Sequence, residues 1–581
     1  MADNTKIKSR LSGDPGASSR ENENVFPLIE LQAPRAWQTV LIGSESVAGA
    51  LSRYIAGQRW FSGKSKTVRG AEIREIIPLS MGDDHSSIAF VEVQYADGVP
   101  DIYLVPIASA SGHDAERIEA EWPRALIART RCENLSGVLF DPAVTRSDFV
   151  RTILNALSKR RSFKGRNGEV QAVRYRAFKS LYEQLNERFD VRPGTAEQSN
   201  SSALIGDQLI FKLYRRLEAG RNPEVELGRF LNQKGFRNTP KIAGHLQYVS
   251  AEGENRTLAL VQEYVSNESN AWELALERVQ RCVARVIFTR ETQAQPVQPG
   301  LEWLENRKLA LPEEIDKILG PDKEVARLLG RRTAEMHLKL ASDRESSEFR
   351  PEPYTSVDRR ELVRSISELL AQVCGLLAKR AVEISGQARK EAERLVQLET
   401  KINAWLKKAL DQELVSHRIR VHGDFHLGQV LYTGNDFVII DFEGEPARPM
   451  RQRRAKKSAL VDVAGMVRSF HYAALSGWNA SAEKRLFSQA EMSRLESWID
   501  AWQAWMSSVY LHAYYQGVRK QPVIAGDSAG EVRTLLDLFL LEKAIYEVGY
   551  ELNNRPHWVG IPLAGIGRVL QDLKLLERRT V

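Results

Sequence analysis

The chain has 581 residues, 43% of them hydrophobic and 27% charged, which excludes a mainly disordered or fibrous protein and leaves room for several compact units. Its 82 Lys and Arg against 75 Asp and Glu give a net charge of +7, too small an excess at this length to argue for a nucleic-acid partner. An acidic small ligand such as a nucleotide suits that charge equally well.

Residues 1 to about 25 are rich in Ser, Gly, Asp, Asn and charge and cannot bury enough apolar surface to offset their ordering entropy, so a flexible tail is expected, taken to end at 36. They hold no apolar signal core, and no window approaches the run of about 20 apolar residues that a membrane-spanning helix needs. Cys132, Cys282 and Cys374 are too scattered for a zinc site or a disulfide framework. The expectation is a cytoplasmic protein with neither membrane nor nucleic-acid partners.

From Trp37 the pattern becomes globular. Ile88 to Val93 and Ile102 to Val105 read as strands joined by the turn Ala96-Asp97-Gly98. A second β-rich stretch holds Ala203 to Ile205 and Gln208 to Leu213 on either side of Gly206-Asp207, a two-residue hairpin signal. Gln293 to Gly300 reads as a connector, and nearly everything after Leu301 carries helical spacing. Within that helical half, Val430 to Tyr432 and Phe437 to Ile440 flank the turn residues Thr433-Gly434-Asn435-Asp436, predicting one more hairpin. The class is therefore α+β, with a sheet-rich first part and a helical second part.

The segment with the most chemistry is His422-Gly423-Asp424-Phe425-His426-Leu427-Gly428-Gln429, followed by Asp441-Phe442-Glu443. Phosphoryl transfer needs one carboxylate to orient the acceptor hydroxyl and take its proton, and others to hold the metal that neutralises the triphosphate. Asp424 fits the first role, as the catalytic residue. Gln429, five positions on, and Asp441, on the predicted hairpin, fit the second as metal ligands, in the order used by protein kinases. The leading His-Gly-Asp resembles the aminoglycoside-phosphotransferase branch of that superfamily. His422 and His426 read as orienting the loop rather than binding zinc, since no third ligand of that type lies nearby.

The nucleotide side is expected upstream. Lys212 alternates with Phe211 and Leu213 on a predicted strand and can reach phosphates. Just before it, Glu197 to Ser202 supplies the small polar residues Ser199, Asn200 and Ser201 to lie over the phosphates. Pro223 opens a helix whose first turn holds Glu224 and Glu226, and Glu226 is taken as the partner of Lys212. Gln262-Glu263-Tyr264-Val265 ends an apolar strand and reads as the hinge whose backbone meets adenine. The basic run Arg451, Arg453, Arg454, Lys456 and Lys457 has no aromatic residue interleaved for base stacking and reads as a solvated loop.

With these motifs in place, the chain resembles the maltokinases. The shared stretches include Gly57 to Lys64, Glu197 to Ser202, Asn222 to Glu226, Arg331 to His337, His422 to Gln429, Asp441 to Pro446, Asp462 to Met466 and Glu551 to Pro556. The resemblance implies a two-lobed, protein-kinase-like fold with an N-terminal cap. The divisions expected are a tail over 1–36, a cap over 37–178, an ATP-binding subdomain over 179–265 and a helical lobe over 266–581. It also implies ATP and Mg2+ as cofactors, maltose as acceptor, transfer to its anomeric hydroxyl, and a possible association with a trehalose synthase. Glucosamine or an aminoglycoside is the alternative acceptor.

For the acceptor site, the resemblance points to Lys543, Tyr546, Glu547, Tyr550, Glu551 and Asn554, which share helical spacings of three and four, together with Arg555 and Trp558. A disaccharide needs such a set: carboxylates and amides for hydroxyls, and rings for its apolar face. His422, His426 and Glu443 join this substrate-binding group. Ser269-Asn270-Ala271-Trp272 departs from the family's more acidic, glycine-containing segment after the hinge, a change that bears on nucleotide preference.

Overall fold

A computed structural model describes residues 26–31, 41, 44–79, 86–132, 135–143, 145–185, 189–194, 199–289, 295–409, 411, 413–482 and 487–575. The expected tail over 1–25, Glu197 and Gln198 of the phosphate segment, and the start of the connector at 293–294 lie outside the described residues. The chain divides into two compact units, Met1–Phe149 and Val150–Val581. No helix among the described residues is long and apolar enough to cross a membrane.

The first unit is built on a sheet of strands β1 (Leu28–Glu30), β2 (Val68–Pro78), β3 (Ser87–Tyr95), β4 (Asp101–Ser111), β5 (Leu126–Cys132) and β6 (Leu135–Phe140), in the order β1-β5-β6-β4-β3-β2. The expected hairpin is there, with Ala89 opposite Val105 and Phe90 opposite Leu104. Helix α1 (Glu45–Ala56) is capped by Ser44 and buries Val47, Ala50, Leu51, Tyr54 and Ile55, one stripe of a 3.6-residue period. That stripe joins Trp60, Phe61, Val91, Tyr103 and Val105 in the unit's core. Leu28–Glu30, assigned to the tail by sequence, pairs in parallel with β5.

The second unit opens with helix α2 (Ser147–Lys159), whose first residues precede the division, and with a second sheet. Its strands are β7 (Ser162–Lys164), β8 (Gly168–Arg174), β9 (Val191–Pro193), β10 (Asn200–Ile205), β11 (Leu209–Tyr214), β12 (Ile242–Ser250) and β13 (Asn255–Glu263), in the order β7-β8-β12-β13-β11-β10-β9. The cap expected through 178 is thus too long: β8 pairs residue by residue with β12, which puts it in the nucleotide-side sheet. Gly206 and Asp207, at φ of 52° and 54°, make the left-handed two-residue turn joining β10 to β11. Helix α3 (Pro223–Gln233) packs against β12, with Asn222 as its cap and Pro223 at its first position.

The remainder is helical: α4 (Ala271–Phe288), α5 (Glu313–Leu340), α6 (Ser356–Lys379), α7 (Gly386–Ala409), α8 (Leu460–Ala482), α9 (Gln489–Val518), α10 (Ala529–Asn554) and α11 (Gly560–Asp572). One continuous core joins them, including Val279, Leu329, Met336, Phe470, Trp502 and Tyr510. The predicted hairpin is inserted here as β14 (Val430–Tyr432) and β15 (Phe437–Ile439). Its β14 edge pairs with Ser269 and Asn270, just past the expected hinge, in a small sheet separate from the seven-stranded one. The connector residues 295–300 have no regular structure.

Candidate active site

Lys212 stands on β11 with its neighbours Phe211 and Leu213 in the core, and its ammonium crosses to the helical part. It lies 2.9 Å from Glu224 Oε2, 2.6 Å from Asp441 Oδ1 and 2.6 Å from Glu443 Oε1. The three carboxylates are close enough for one ligand atom of each to lie within 4.8 Å of the others. Burial works against the Asp441 carboxylate, yet Lys212, His422 and the Gln429 amide together hold its pKa below the ordinary value. Burial pushes Glu224 the other way, with Asp441 and Glu443 adding to it against the pull of Lys212. One ammonium among three carboxylates leaves an excess of negative charge, which a divalent cation would relieve.

The donor set fits such an ion. Asp441 and Glu443 offer carboxylate oxygens, and Gln429, which donates its amide nitrogen to Asp441 Oδ2 at 2.8 Å, offers an amide oxygen; hard cations take ligands of this kind. Asp441 sits at φ 63°, a left-handed conformation that Asp tolerates better than most residues. Asn200 and Asn222 donate to the two oxygens of Glu443 at 2.9 and 3.4 Å.

The loop carrying Asp424 is anchored from behind by Asp462 of α8. Its two oxygens accept the backbone N–H groups of His422 and Gly423, both at 2.8 Å, and His337 stands 3.0 Å from Oδ2 with Tyr514 on its other nitrogen. Burial opposes the charged form of Asp462, but the hydrogen bonds from His337 and Gly423 keep its pKa below the ordinary value. Gly423 turns through φ 84°, which a side chain would strain. His422 is buried and its Nε2 lies 2.9 Å from the carbonyl of Ile440, tying this loop to the residue before Asp441. His426 Nδ1 accepts from the Gly428 N–H at 3.0 Å, so the proton of the neutral ring sits on Nε2, which faces Asp424 at 4.0 Å. Burial, with Lys543 nearby, lowers the His426 pKa and favours that neutral ring.

Asp424 opens onto a cavity of about 380 Å³ walled by α6, α8, α10 and the segment 445–458. Lys543 of α10 lies 3.9 Å from Asp424 Oδ1 and 3.5 Å from Glu445 Oε2, while Tyr546 donates its hydroxyl to Glu445 at 3.1 Å. Burial works against the Lys543 ammonium, but Asp424, Glu445 and Glu547 hold its pKa above the ordinary value. Glu542 faces Arg448 at 3.8 Å and Asp358 faces Arg418 at 2.6 Å. Lys457 also lines the cavity, and its ammonium makes no hydrogen bond or ion pair with the described residues. Burial, reinforced by Arg448, lowers its pKa. Most charges in this wall are thus already paired within the protein, leaving hydrogen-bonding capacity rather than net charge.

Known proteins match stretches of this chain. Residues 54–143 match the maltokinase N-terminal cap domain, and residues 190–444 match the phosphotransferase enzyme family. The chain is a kinase-like phosphotransferase with a maltokinase-type cap. A glucosamine kinase of Mycolicibacterium smegmatis is 23% identical to it over 381 residues, covering 66% of this chain and 80% of that one. A glucosamine kinase of Streptacidiphilus jiangxiensis is 26% identical over 374 residues, covering 63% and 70%. Among solved structures, a glucosamine kinase crystal form superposes with a TM-score of 0.57 at 20% identity, covering 89% of this chain and 99% of that one. A glucosamine kinase in complex with glucosamine, ADP and inorganic phosphate gives 0.56 at 21%, covering 87% and 97%. These likenesses establish the kinase-like fold.

Of the residues that the sequence reading gathers at one centre, Lys212, Asp441 and Gln429 lie together, with Asp424 on the loop that His422 ties to the residue before Asp441. Several expectations are corrected. The partner of Lys212 is Glu224, whereas Glu226 is buried against Arg420 and Arg454 at 2.6 and 2.7 Å. Glu443, expected in the acceptor site, belongs with Lys212 and Asn200 on the nucleotide side. Ser201 is occupied by Arg215, which donates to its hydroxyl at 2.7 Å, leaving Ser199 and Asn200 at the cleft. Gln262 is paired within the sheet, Glu263 holds Lys241 at 2.7 Å, and Tyr264 and Val265 follow at the expected junction.

On α10 only Lys543 and Tyr546 of the proposed stripe line the cavity. Glu547 accepts from Arg468 at 2.8 Å, and Glu551 is buried between Tyr472 and Arg555, so both hold α10 in place rather than face a ligand. Tyr550 is 46% exposed, Asn554 bonds back to its carbonyl, and Arg555 lies over Trp558 at 4.7 Å, all outside the cavity. His422 is a loop anchor, not a sugar contact. The basic run is not a solvated loop either: Arg453 pairs with Glu218, Arg454 with Glu226 and Lys456 with Glu352. Sequence reasoning gave no role to Asp462, Glu445, Arg448 or Glu542. Asp462 had a signal: a lone acid inside the apolar run Leu460-Val461-Asp462-Val463-Ala464 must find partners if that run is buried.

Proposed function

We propose that the protein transfers the γ-phosphoryl group of ATP to the anomeric hydroxyl of maltose, giving maltose 1-phosphate for α-glucan synthesis. The observation that carries this is the position of Asp424: in the wall of a cavity beside carboxylates that have cationic partners, on a loop tied by His422 to the Lys212, Asp441 and Glu443 group. In that reading Gln429, Asp441 and Glu443 hold Mg2+, which neutralises the triphosphate. Lys212, kept in place by Glu224, reaches the phosphates, and Asn200 and Ser199 lie over them. Asp424 orients the hydroxyl and accepts its proton. A hemiacetal hydroxyl is more acidic than an ordinary alcohol, so a carboxylate suffices as the base.

A neutral reacting ring is favoured because Asp424 and Glu445 share Lys543 and Glu542 faces Arg448, so an amino group on that ring would find no unneutralised carboxylate beside Asp424; the unpaired Glu361 lies elsewhere in the wall, at the start of α6. The maltokinase-type cap supports the same choice. Glucosamine is the second reading, favoured by the relatives named glucosamine kinases. Purified protein supplied with ATP and Mg2+ and a panel of maltose, glucose, glucosamine and an aminoglycoside, followed by ADP release, tests both. The highest kcat/KM is expected for maltose; turnover of glucosamine alone would replace this reading with the second.

A further inference from the structure

The cavity in front of Asp424 extends beyond the residues that surround a reacting hydroxyl. Along α10 its wall runs from Tyr546 through Lys543, which faces Asp424 at 3.9 Å, back to Phe539, seven residues or about 10 Å of helix. Another part of the wall is the N-terminal part of α6. This helix runs beside α10, and Val373 lies 3.3 Å from the position a Gly549 side chain would take. Three of its residues at neighbouring helical positions, Glu361, Leu362 and Ser365, line the cavity together with Tyr354. Glu361 and Ser365 are exposed and Leu362 is half-buried. None of the three makes a side-chain hydrogen bond or ion pair among the described residues, whereas Asp358, one turn earlier, is taken up by Arg418.

Apolar surface from Leu362, Phe539 and Tyr354, edged by an unpaired carboxylate and a hydroxyl, is what the face and rim of a pyranose ring require. At about 380 Å³ the cavity has the volume of a site for a ligand larger than one ring. We infer that the start of α6 is a second sugar subsite, which takes the non-reacting ring of a disaccharide and sets the preference for maltose over a single ring. This rests on the sugar-kinase reading above and extends it to residues that reading does not use.

The test is steady-state kinetics with maltose and MgATP on the full chain and on Glu361→Ala and Leu362→Trp. The first removes the free acceptor; the second fills the space of the outer ring. Glu361 is exposed and Leu362 half-buried against the helical core, and matched thermal unfolding confirms the fold of each variant. The inference expects KM for maltose to rise roughly tenfold in each, an effect on KM rather than on kcat, because Asp424 and its anchors are untouched. A KM within twofold of wild type in both variants would overturn the subsite while leaving the kinase reading intact. A wild-type protein that phosphorylates single sugars but not maltose would overturn the subsite and the maltose assignment together.

Discussion

Replacing Asp462 with alanine removes a carboxylate that accepts two loop amides at 2.8 Å and faces His337 at 3.0 Å, from a site only 1% exposed. A hydrogen bond to a charged group contributes about 1.5–3 kcal/mol, and the amides left behind are buried donors without an acceptor. Such contributions are not additive within one cluster, so the loss should be about 4 kcal/mol. With an unfolding entropy of about 2 cal/mol/K per residue, a unit spanning Val150–Val581 should lose only about 4 °C in Tm. Activity should suffer more, because a loop displaced by about 1 Å costs on the order of 100-fold in rate. The expected variant is folded, binds nucleotide through the intact Lys212 group, and turns over about 100-fold more slowly.

The same substitution carries a pH signature. The Asp462 pKa lies below its unfolded value, so its contribution is fully present above about pH 4 and is lost as pH falls through the lower, folded value. Thermal unfolding of wild type and variant across pH 3 to 7 should show a gap in Tm that is constant above about pH 4 and narrows below it. A gap that does not narrow in acid, or a variant with near wild-type kcat, would refute the anchoring role.

Asp424→Asn should lower kcat by about 100- to 10,000-fold with nucleotide affinity near wild type by equilibrium titration, since its carboxylate serves the acceptor side. Glu224→Gln and Glu226→Gln should separate by phenotype: the first weakens nucleotide binding or kcat by releasing Lys212, while the second leaves Arg420 with a weakened buried partner and lowers Tm. Lys457→Met loses no existing partner, so Tm should hold while KM for the sugar rises about tenfold in the acceptor assay.

What could be read in the sequence was local chemistry. Gly206-Asp207 fixes a hairpin by backbone preference alone, and the spacing from Asp424 to Gln429 and on to Asp441 is set within one loop and one hairpin. The choice between Glu224 and Glu226 was not local. Both lie in the first turn of α3, and which one meets Lys212 depends on the rotation of the helix against the sheet. That rotation is fixed by the Asn222 cap and by Gly228, where a side chain would come within 2.8 Å of Ile242. The end of the cap was hidden for a similar reason: β8 finds its partner in β12 about 70 residues later, a pairing no local pattern announces. On α10 the spacing of three and four was real, but a polar stripe can face a ligand or a buried arginine. Arg468, on another helix, claims Glu547.

The central claim is that the Asp424 loop delivers a sugar's anomeric oxygen to the phosphoryl group bound by the Lys212 and Asp441 cluster. Maltose labelled with 13C at its reducing-end C1, incubated with the protein and MgATP and followed by 31P NMR, tests it directly. A new phosphate monoester signal, split by coupling to the labelled carbon and growing in step with ADP, is the predicted result. ADP formation with no sugar phosphate, or a phosphate signal without that coupling, would contradict it.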